Sequence, residues 1–132
     1  MLKKPCDLKV HLVWATRDCQ PLLQQEEIAL RIHELLQEAC EKLGVEILES
    51  SIKKDHVVLS LSYSSQTSVS KIAHNLKVET SFRLLKEHEE LRKILGSRSL
   101  WAKGYLAASA ESTPFTEDDV TEFLTLYKIK EF

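Results

Sequence analysis

Four parts of the chain have the composition or the apolar alternation that is typical of strands. The clearest case is residues 8–16, where the alternating apolar residues are Leu8, Val10, Leu12 and Trp14. Residues 45–52 and 56–63 are separated by only three residues, which predicts an antiparallel hairpin. Residues 100–109 are typical of a strand that is interrupted at Gly104.

Three other segments have apolar residues at helical spacing. The first is a helix that Gly44 ends, and its stripe consists of Ile28, Ile32, Leu35, Leu36, Ala39 and Leu43. The second begins after Ser68, a residue type that caps helices well. The last begins at a capping box formed by Thr116 and Asp119.

The predicted order of elements is therefore βαββαβα. Helices packed on one face of an antiparallel sheet in this order form the α+β, ferredoxin-like arrangement. A length of 132 residues is usual for one domain, so we expect a single domain over residues 1–132. The chain has no apolar run of roughly 18 residues and no secretory signal at its start, so we expect a cytoplasmic protein with no membrane partner.

Cysteine content and charge narrow the classes of function. Cys6, Cys19 and Cys40 show no CxxC spacing, which excludes a disulfide framework or a zinc site built from them. The formal net charge of -2 argues weakly against non-specific binding to nucleic acid as the main function. Residues 71–103 nevertheless form a basic band, with eight Lys or Arg side chains against four Glu side chains.

The strand at residues 56–63 carries the pattern that bears on metal chemistry. One face consists of Val57, Leu59, Leu61 and Tyr63, which we assign to the core, and the other of His56, Val58, Ser60 and Ser62. Two imidazoles at positions i and i+2 of a strand point the same way and can share one ion. Val58 stands where the second imidazole would be, and a lone strand histidine is more often structural than a ligand.

Four segments together resemble a known family. They are residues 10–17 (VHLVWATR), 55–59 (DHVVL), 75–77 (NLK) and 100–105 (LWAKGY). In order and spacing they are similar to the small single-tyrosine transposases of the His-hydrophobic-His endonuclease superfamily. These occur in the simplest bacterial insertion sequences and as REP-associated tyrosine transposases. The resemblance covers nearly the whole chain.

This resemblance implies a homodimer of ferredoxin-like subunits that recognises a DNA hairpin and cleaves single-stranded DNA during DNA transposition. In that family a tyrosine on the last helix attacks a phosphodiester and stays attached to the 5′ end. A divalent ion held by two histidines polarises the phosphate. Covalent catalysis conserves the bond for rejoining, and the Lewis acid stabilises charge on the phosphate oxygens.

Carried over residue by residue, the resemblance places the first metal histidine on His56 and the second on Val58, which has no lone pair. Aligned through Val120, the tyrosine falls on Phe123 and the glutamine four residues later on Tyr127. The resemblance therefore implies an inactive protein with no cofactor, in which Mg²⁺ or Mn²⁺ has a role only if activity is retained. Tyr127 is the only fallback nucleophile, and His56 alone is not expected to hold an ion.

The replaced positions share a change in polarity. Val58, Phe123 and Tyr127 put apolar or amphipathic groups where the family has polar ones. We hypothesise that they fill the former catalytic cavity as a hydrophobic plug, whose burial would stabilise the dimer.

The basic band, with Arg17 near it, is a candidate hairpin-binding surface, and the residues that we select as nucleic-acid contacts are Arg17, Lys71, Lys77, Arg83 and Lys103. Interleaved glutamates favour an ordinary solvated helix face over a generic nucleic-acid surface, but shape-specific hairpin binding stays open. Trp14 and Trp101 have rings that can stack bases, although their apolar surroundings in the sequence favour the core.

Three functions remain open from the sequence. The first is a transposase-like protein that is catalytically inactive and retains binding to hairpin or single-stranded DNA as a homodimer. The second is a protein-interaction module that has lost DNA binding, for which the supporting feature is a set of acidic residues, Glu111, Glu117, Asp118, Asp119, Glu122 and Glu131. The third is an active DNA transposase that uses Tyr127.

Overall fold

The computed structural model describes residues 8–109 and 116–131, with the side chains of the last helix described up to Thr125. The strands are β1 (Leu8–Ala15), β2 (Glu46–Ile52), β3 (His56–Tyr63) and β4 (Leu106–Ser109). The helices are α1 (Glu26–Leu43), α2 (Val69–Glu87), α3 (Glu89–Leu95) and α4 (Glu117–Glu131), and a 3₁₀ turn (Arg17–Cys19) follows β1. Cys6 and Glu111 lie outside the described residues. Within these ranges, no helix combines the length and the hydrophobicity that a membrane span needs.

The four strands form one antiparallel sheet in the order β2-β3-β1-β4. β1 lies between β3 and β4, and its register with β3 places Val13 opposite Val58 and Ala15 opposite His56. The predicted β2–β3 hairpin is confirmed. The structure is the predicted α+β, ferredoxin-like fold.

Local capping chemistry sets the helix boundaries, as the sequence predicts. α1 ends at Gly44, whose φ of 71° is a conformation that glycine adopts without strain. At the start of α2, the Ser68 side chain accepts a hydrogen bond from the Lys71 amide at 3.2 Å. At the start of α4, the side chain of Asp119 accepts from the Thr116 amide, and the Thr116 hydroxyl accepts from the Asp119 amide.

The main core lies between the sheet and the layer formed by α1 and α2. The alternating residues Val10, Leu12 and Trp14 of β1 are buried there, as predicted, with Val57, Leu59 and Leu61 of β3. The helices contribute the apolar stripes that their periodicity predicts, among them Ile28, Ile32, Leu35 and Leu36 of α1 and Ile72, Leu76 and Leu84 of α2. The sheet and these two helices therefore bury each other's apolar faces.

α4 packs near the opposite face of the sheet, which differs from the expectation that the helices pack on one face. Its residue Leu124 contacts a small buried cluster of Ala15, Cys19 and Ala102. Because successive strand residues alternate between faces, Ala15 points away from the main core. α4 therefore lies beside the end of β3, where His56 is located.

Two regions differ from the predicted elements. α3 was not predicted, because its seven residues bury only Leu91 and Leu95, too few to reveal a period. Within the predicted strand at residues 100–109, β4 accounts for the last four residues, and Trp101 makes only an isolated bridge with Thr16. Gly104, the predicted interruption, has a φ of 85°, which turns the chain away from the extended conformation.

Candidate nucleic-acid interface

A groove lined by basic side chains lies between α2, α3 and residues 97–105. Its cavity volume is about 980 Å³, near the upper end of the range for ligand sites, roughly 300–1,000 Å³. The described residues that line it include no carboxylate, and its cations are Arg17, Lys77, Lys86, Arg92, Arg98 and Lys103. We call it the basic groove. Like charges on a concave surface focus a positive potential that attracts polyanions.

The acidic residues of α2, Glu79 and Glu87, do not line the basic groove. On the other side of α2, Arg83 forms an ion pair with Glu38 of α1, and Glu87 accepts two hydrogen bonds of 2.8 Å from Arg31 of α1. The hydrogen bonds from Arg31 hold the pKa of Glu87 below its usual range. Because α1 pairs with this glutamate, its charge does not cancel the potential of the groove. Sequence spacing alone does not reveal this separation.

The structure brings three of the five selected contact residues together in the basic groove, namely Arg17, Lys77 and Lys103. Lys71 is exposed in the first turn of α2, and Arg83 is paired with α1, so both lie away from the lining of the groove. The remaining cations of the groove, Lys86, Arg92 and Arg98, belong to the basic band but were not selected from the sequence. Arg98 also pairs with Asp18 at 3.0 Å.

Lys77 connects the two walls of the basic groove. Its Nζ donates hydrogen bonds to the carbonyl oxygens of Ala102 at 2.8 Å and Gly104 at 2.9 Å. Burial lowers the pKa of Lys77 to about 8, and the charge of the nearby Arg17 contributes in the same direction. A phosphate bound in the groove would favour the charged form of this lysine.

Both tryptophans lie in the core, as their surroundings in the sequence predict. Trp14 is 0% and Trp101 is 2% exposed, and their rings meet edge to face with centroids 5.8 Å apart. The Trp101 Nε1 donates to the Thr80 hydroxyl at 2.9 Å, which donates in turn to the Leu76 carbonyl at 2.7 Å. These contacts anchor residues 97–105 to α2, and neither indole is available to stack a base.

The basic groove instead exposes the ring of Phe82, which sequence reasoning did not select. Phe82 is 67% exposed and lies on the α2 wall. A signal for this was present in the sequence, because Phe82 falls outside the helical stripe of buried residues in α2, which includes Ile72, Ala73, Leu76, Thr80 and Leu84.

A second groove, with a cavity volume of about 800 Å³, lies between α4 and the start of β3. His56 and Val58 both line it, and the His56 Nδ1 lies 2.7 Å from a carboxylate oxygen of Asp55. Among the described residues, no group of three His, Cys, Asp or Glu side chains is placed to hold an ion. The described side chains that line this groove therefore do not fit the metal ion that the resemblance implies.

α4 lines the second groove with Glu117, Val120, Thr121 and Leu124. Phe123 is half-buried and is not among the residues that line it. The side chain of Tyr127 lies outside the described part of the structure. Val58, Val120 and Leu124 thus give the second groove an apolar part, and the described residues give no support for a plug at Phe123.

Comparison with known proteins identifies relatives of this chain. The family model described as "Transposase IS200 like" matches residues 5–124. One relative is the ISDra2 transposase TnpA of Deinococcus radiodurans, which is 26% identical over 98 residues that cover 74% of this chain and 69% of that protein.

Two solved structures have a similar fold. A crystal structure of a candidate transposase from Deinococcus radiodurans R1 has a TM-score of 0.75 and 19% identity, over 98% of this chain and 93% of that chain. A REP-associated tyrosine transposase bound to a REP hairpin has a TM-score of 0.57 and 10% identity, over 99% of this chain and 72% of that chain. Since the family model spans nearly the whole sequence, this chain belongs to the family of IS200-like transposases.

Proposed function

We propose that this transposase-like protein binds hairpin or single-stranded DNA without cutting it. The observation that carries the proposal is the basic groove, where six cations line one concave surface, one of them (Arg98) paired with Asp18, and no described lining residue is acidic. Such a surface suits a nucleic-acid backbone, because each neutralised phosphate releases condensed counterions. The hairpin bound to the REP-associated transposase of similar fold supports the choice of a DNA hairpin as the ligand.

The second part of the proposal is that the protein is not a nuclease. A tyrosine transposase needs a nucleophilic oxygen and a Lewis acid at the same phosphate. The resemblance assigns the nucleophile to Phe123, which has no hydroxyl, and the two metal histidines to His56 and Val58, of which only His56 is a histidine. Tyr127 is one turn further along α4, about 5.4 Å of rise, and misplacement of a reacting group by about 1 Å already costs much of the rate. No role for Mg²⁺ or Mn²⁺ is expected.

We further propose, from the resemblance, that the protein acts as a homodimer. The length and the apolar pattern of the sequence support the further proposals of a single domain over residues 1–132 and of a cytoplasmic location. A protein-interaction module is the second candidate function. The observation that favours it is the first turn of α4, where Glu117, Asp118 and Asp119 are all exposed. Such a cluster suits a basic protein partner rather than DNA.

The binding of a fluorescein-labelled DNA hairpin with an unpaired tail, followed by fluorescence anisotropy, tests the proposed function. If four to six groove cations engage phosphates, the logarithm of the affinity falls with the logarithm of the salt concentration with a slope of roughly -3 to -5. The affinity should then drop about 60- to 1,000-fold between roughly 50 and 200 mM salt. Absence of binding at the lower salt concentration, or binding that salt does not weaken, would contradict the proposal.

A further inference from the structure

Phe82 presents an exposed aromatic ring inside the basic groove. It is 67% exposed, more than any other large hydrophobic residue in the described part of the chain, and Val78 one turn earlier is 51% exposed on the same wall. Single exposed apolar residues are common on protein surfaces. A ring within a concave surface, beside a second apolar residue, instead indicates a ligand that has an apolar face of its own.

Cations share the groove with this ring. The Lys86 Nζ lies 6.0 Å from the centroid of the Phe82 ring, and the other cations that line the groove include Lys77 on α2, Arg92 on α3 and Lys103. A nucleotide joins a flat base to a charged phosphate, and proteins bind single strands by combining aromatic rings with a basic groove. The pairing of one exposed ring with several cations matches that chemistry.

We propose that Phe82 stacks on an unpaired base of a bound nucleic acid while the cations of the basic groove hold the flanking phosphates. This inference deepens the proposed function and rests on it. In a duplex, both faces of an internal base are covered by neighbouring bases, so away from the ends of a duplex the ring can stack only on a base in a single strand or in an unpaired tail. An acidic peptide with apolar side chains is the competing ligand, but a ligand with a charge on every unit suits six cations better.

The test compares wild-type protein with the Phe82→Leu and Phe82→Trp variants on two labelled probes. One probe is a DNA hairpin with an unpaired tail, and the other is a blunt-ended duplex with the sequence of the stem. Phe82→Leu retains an apolar side chain but lacks the π face, so it should weaken binding of the tailed hairpin about 5- to 150-fold. It should leave duplex binding unchanged, and Phe82→Trp should bind the tailed hairpin at least as well as wild type.

Leu30→Ala provides the matched control. Leu30 is 58% exposed on α1 and lines a different groove, so this variant removes a comparable exposed apolar group and should bind both probes as wild type does. Suppose that the wild-type protein binds the tailed hairpin strongly and in a salt-dependent way. If Phe82→Leu then binds it equally tightly, the stacking inference is wrong and the proposed function stands. Equal losses on both probes would also overturn it, because they indicate a structural role for Phe82.

Two further outcomes separate the inference from the proposed function. If the wild-type protein binds neither probe at about 50 mM salt, both fail together. A twelve-residue peptide of alternating Glu and Phe serves as a probe for the competing ligand. If it binds more tightly than the tailed hairpin at equal salt, and Phe82→Leu weakens only the peptide, the groove is a peptide site and the inference is overturned.

Discussion

A variant that carries Arg17→Gln, Arg92→Gln and Lys103→Gln is expected to bind a DNA hairpin roughly 100-fold more weakly than wild type. The three residues line the basic groove from three directions, namely the 3₁₀ turn, α3 and the segment before β4. A lost charge-assisted contact costs on the order of 1 kcal/mol, and three such losses multiply to this factor if they act independently. The slope of log affinity against log salt should become less steep by roughly 2 to 3.

The matched control changes the net charge by the same amount outside the groove. Lys9, Lys42 and Lys93 are exposed and do not line the basic groove. The triple variant Lys9→Gln, Lys42→Gln and Lys93→Gln should lose less than about fivefold, because distant surface charges are screened by salt. Similar losses in both triple variants would show that the affinity follows overall charge and not the groove.

The second large effect is expected for Trp101→Ala, which should lower the free energy of unfolding by about 3–5 kcal/mol. Trp101 is 2% exposed, and its ring meets that of Trp14 edge to face. Removing the indole leaves a cavity between the sheet and α2, and it also removes the hydrogen bond donated to Thr80. Urea unfolding followed by far-UV circular dichroism measures the difference.

Trp101→Phe separates the packing of the ring from its hydrogen bond. The phenyl ring retains much of the buried area, and the Thr80 hydroxyl still donates to the Leu76 carbonyl. We expect a loss of about 1–2 kcal/mol, which is the range for a single lost hydrogen bond combined with a small loss of volume. If Trp101→Ala cost less than about 1 kcal/mol, Trp101 would not have the anchoring role that its burial indicates.

Much of the fold could be predicted because its elements follow local rules. The alternation in β1, the apolar stripe of α1 and the caps at Gly44, Ser68 and Thr116 all depend on residues close together in the sequence. α3 escaped prediction because so short a helix depends on tertiary burial of Leu91 and Leu95. Residues 100–105 are held by contacts with α2 and β1. Because these contacts join distant parts of the chain, the local sequence pattern does not predict them.

The candidate site was only partly predictable. Its basic character is visible in the sequence, but the division of α2 into a basic and a paired side depends on α1, which supplies Arg31 to Glu87 and Glu38 to Arg83. The glutamates that interleave with the basic residues in the sequence therefore do not line the groove. The two tryptophans were the rings considered for stacking, and Phe82 was not selected, although the helical period of α2 places Phe82 outside the buried stripe.

The positions that the resemblance assigns to catalysis do not all line the second groove. His56 and Val58 line the same groove, so the position to which the resemblance assigns the second histidine presents an apolar side chain there. The placement of Phe123 was inferred from alignment alone, and the structure instead directs Val120, Thr121 and Leu124 into that groove.

The most direct test of binding without cleavage is to incubate the protein with a labelled tailed hairpin and Mn²⁺, and to run each reaction on native and denaturing gels. The account predicts a retarded band on the native gel and no protein-linked DNA on the denaturing gel. A covalent adduct that persists on the denaturing gel and disappears in Tyr127→Phe would contradict it and establish an active transposase. Absence of a retarded band would contradict the binding that we assign to the basic groove.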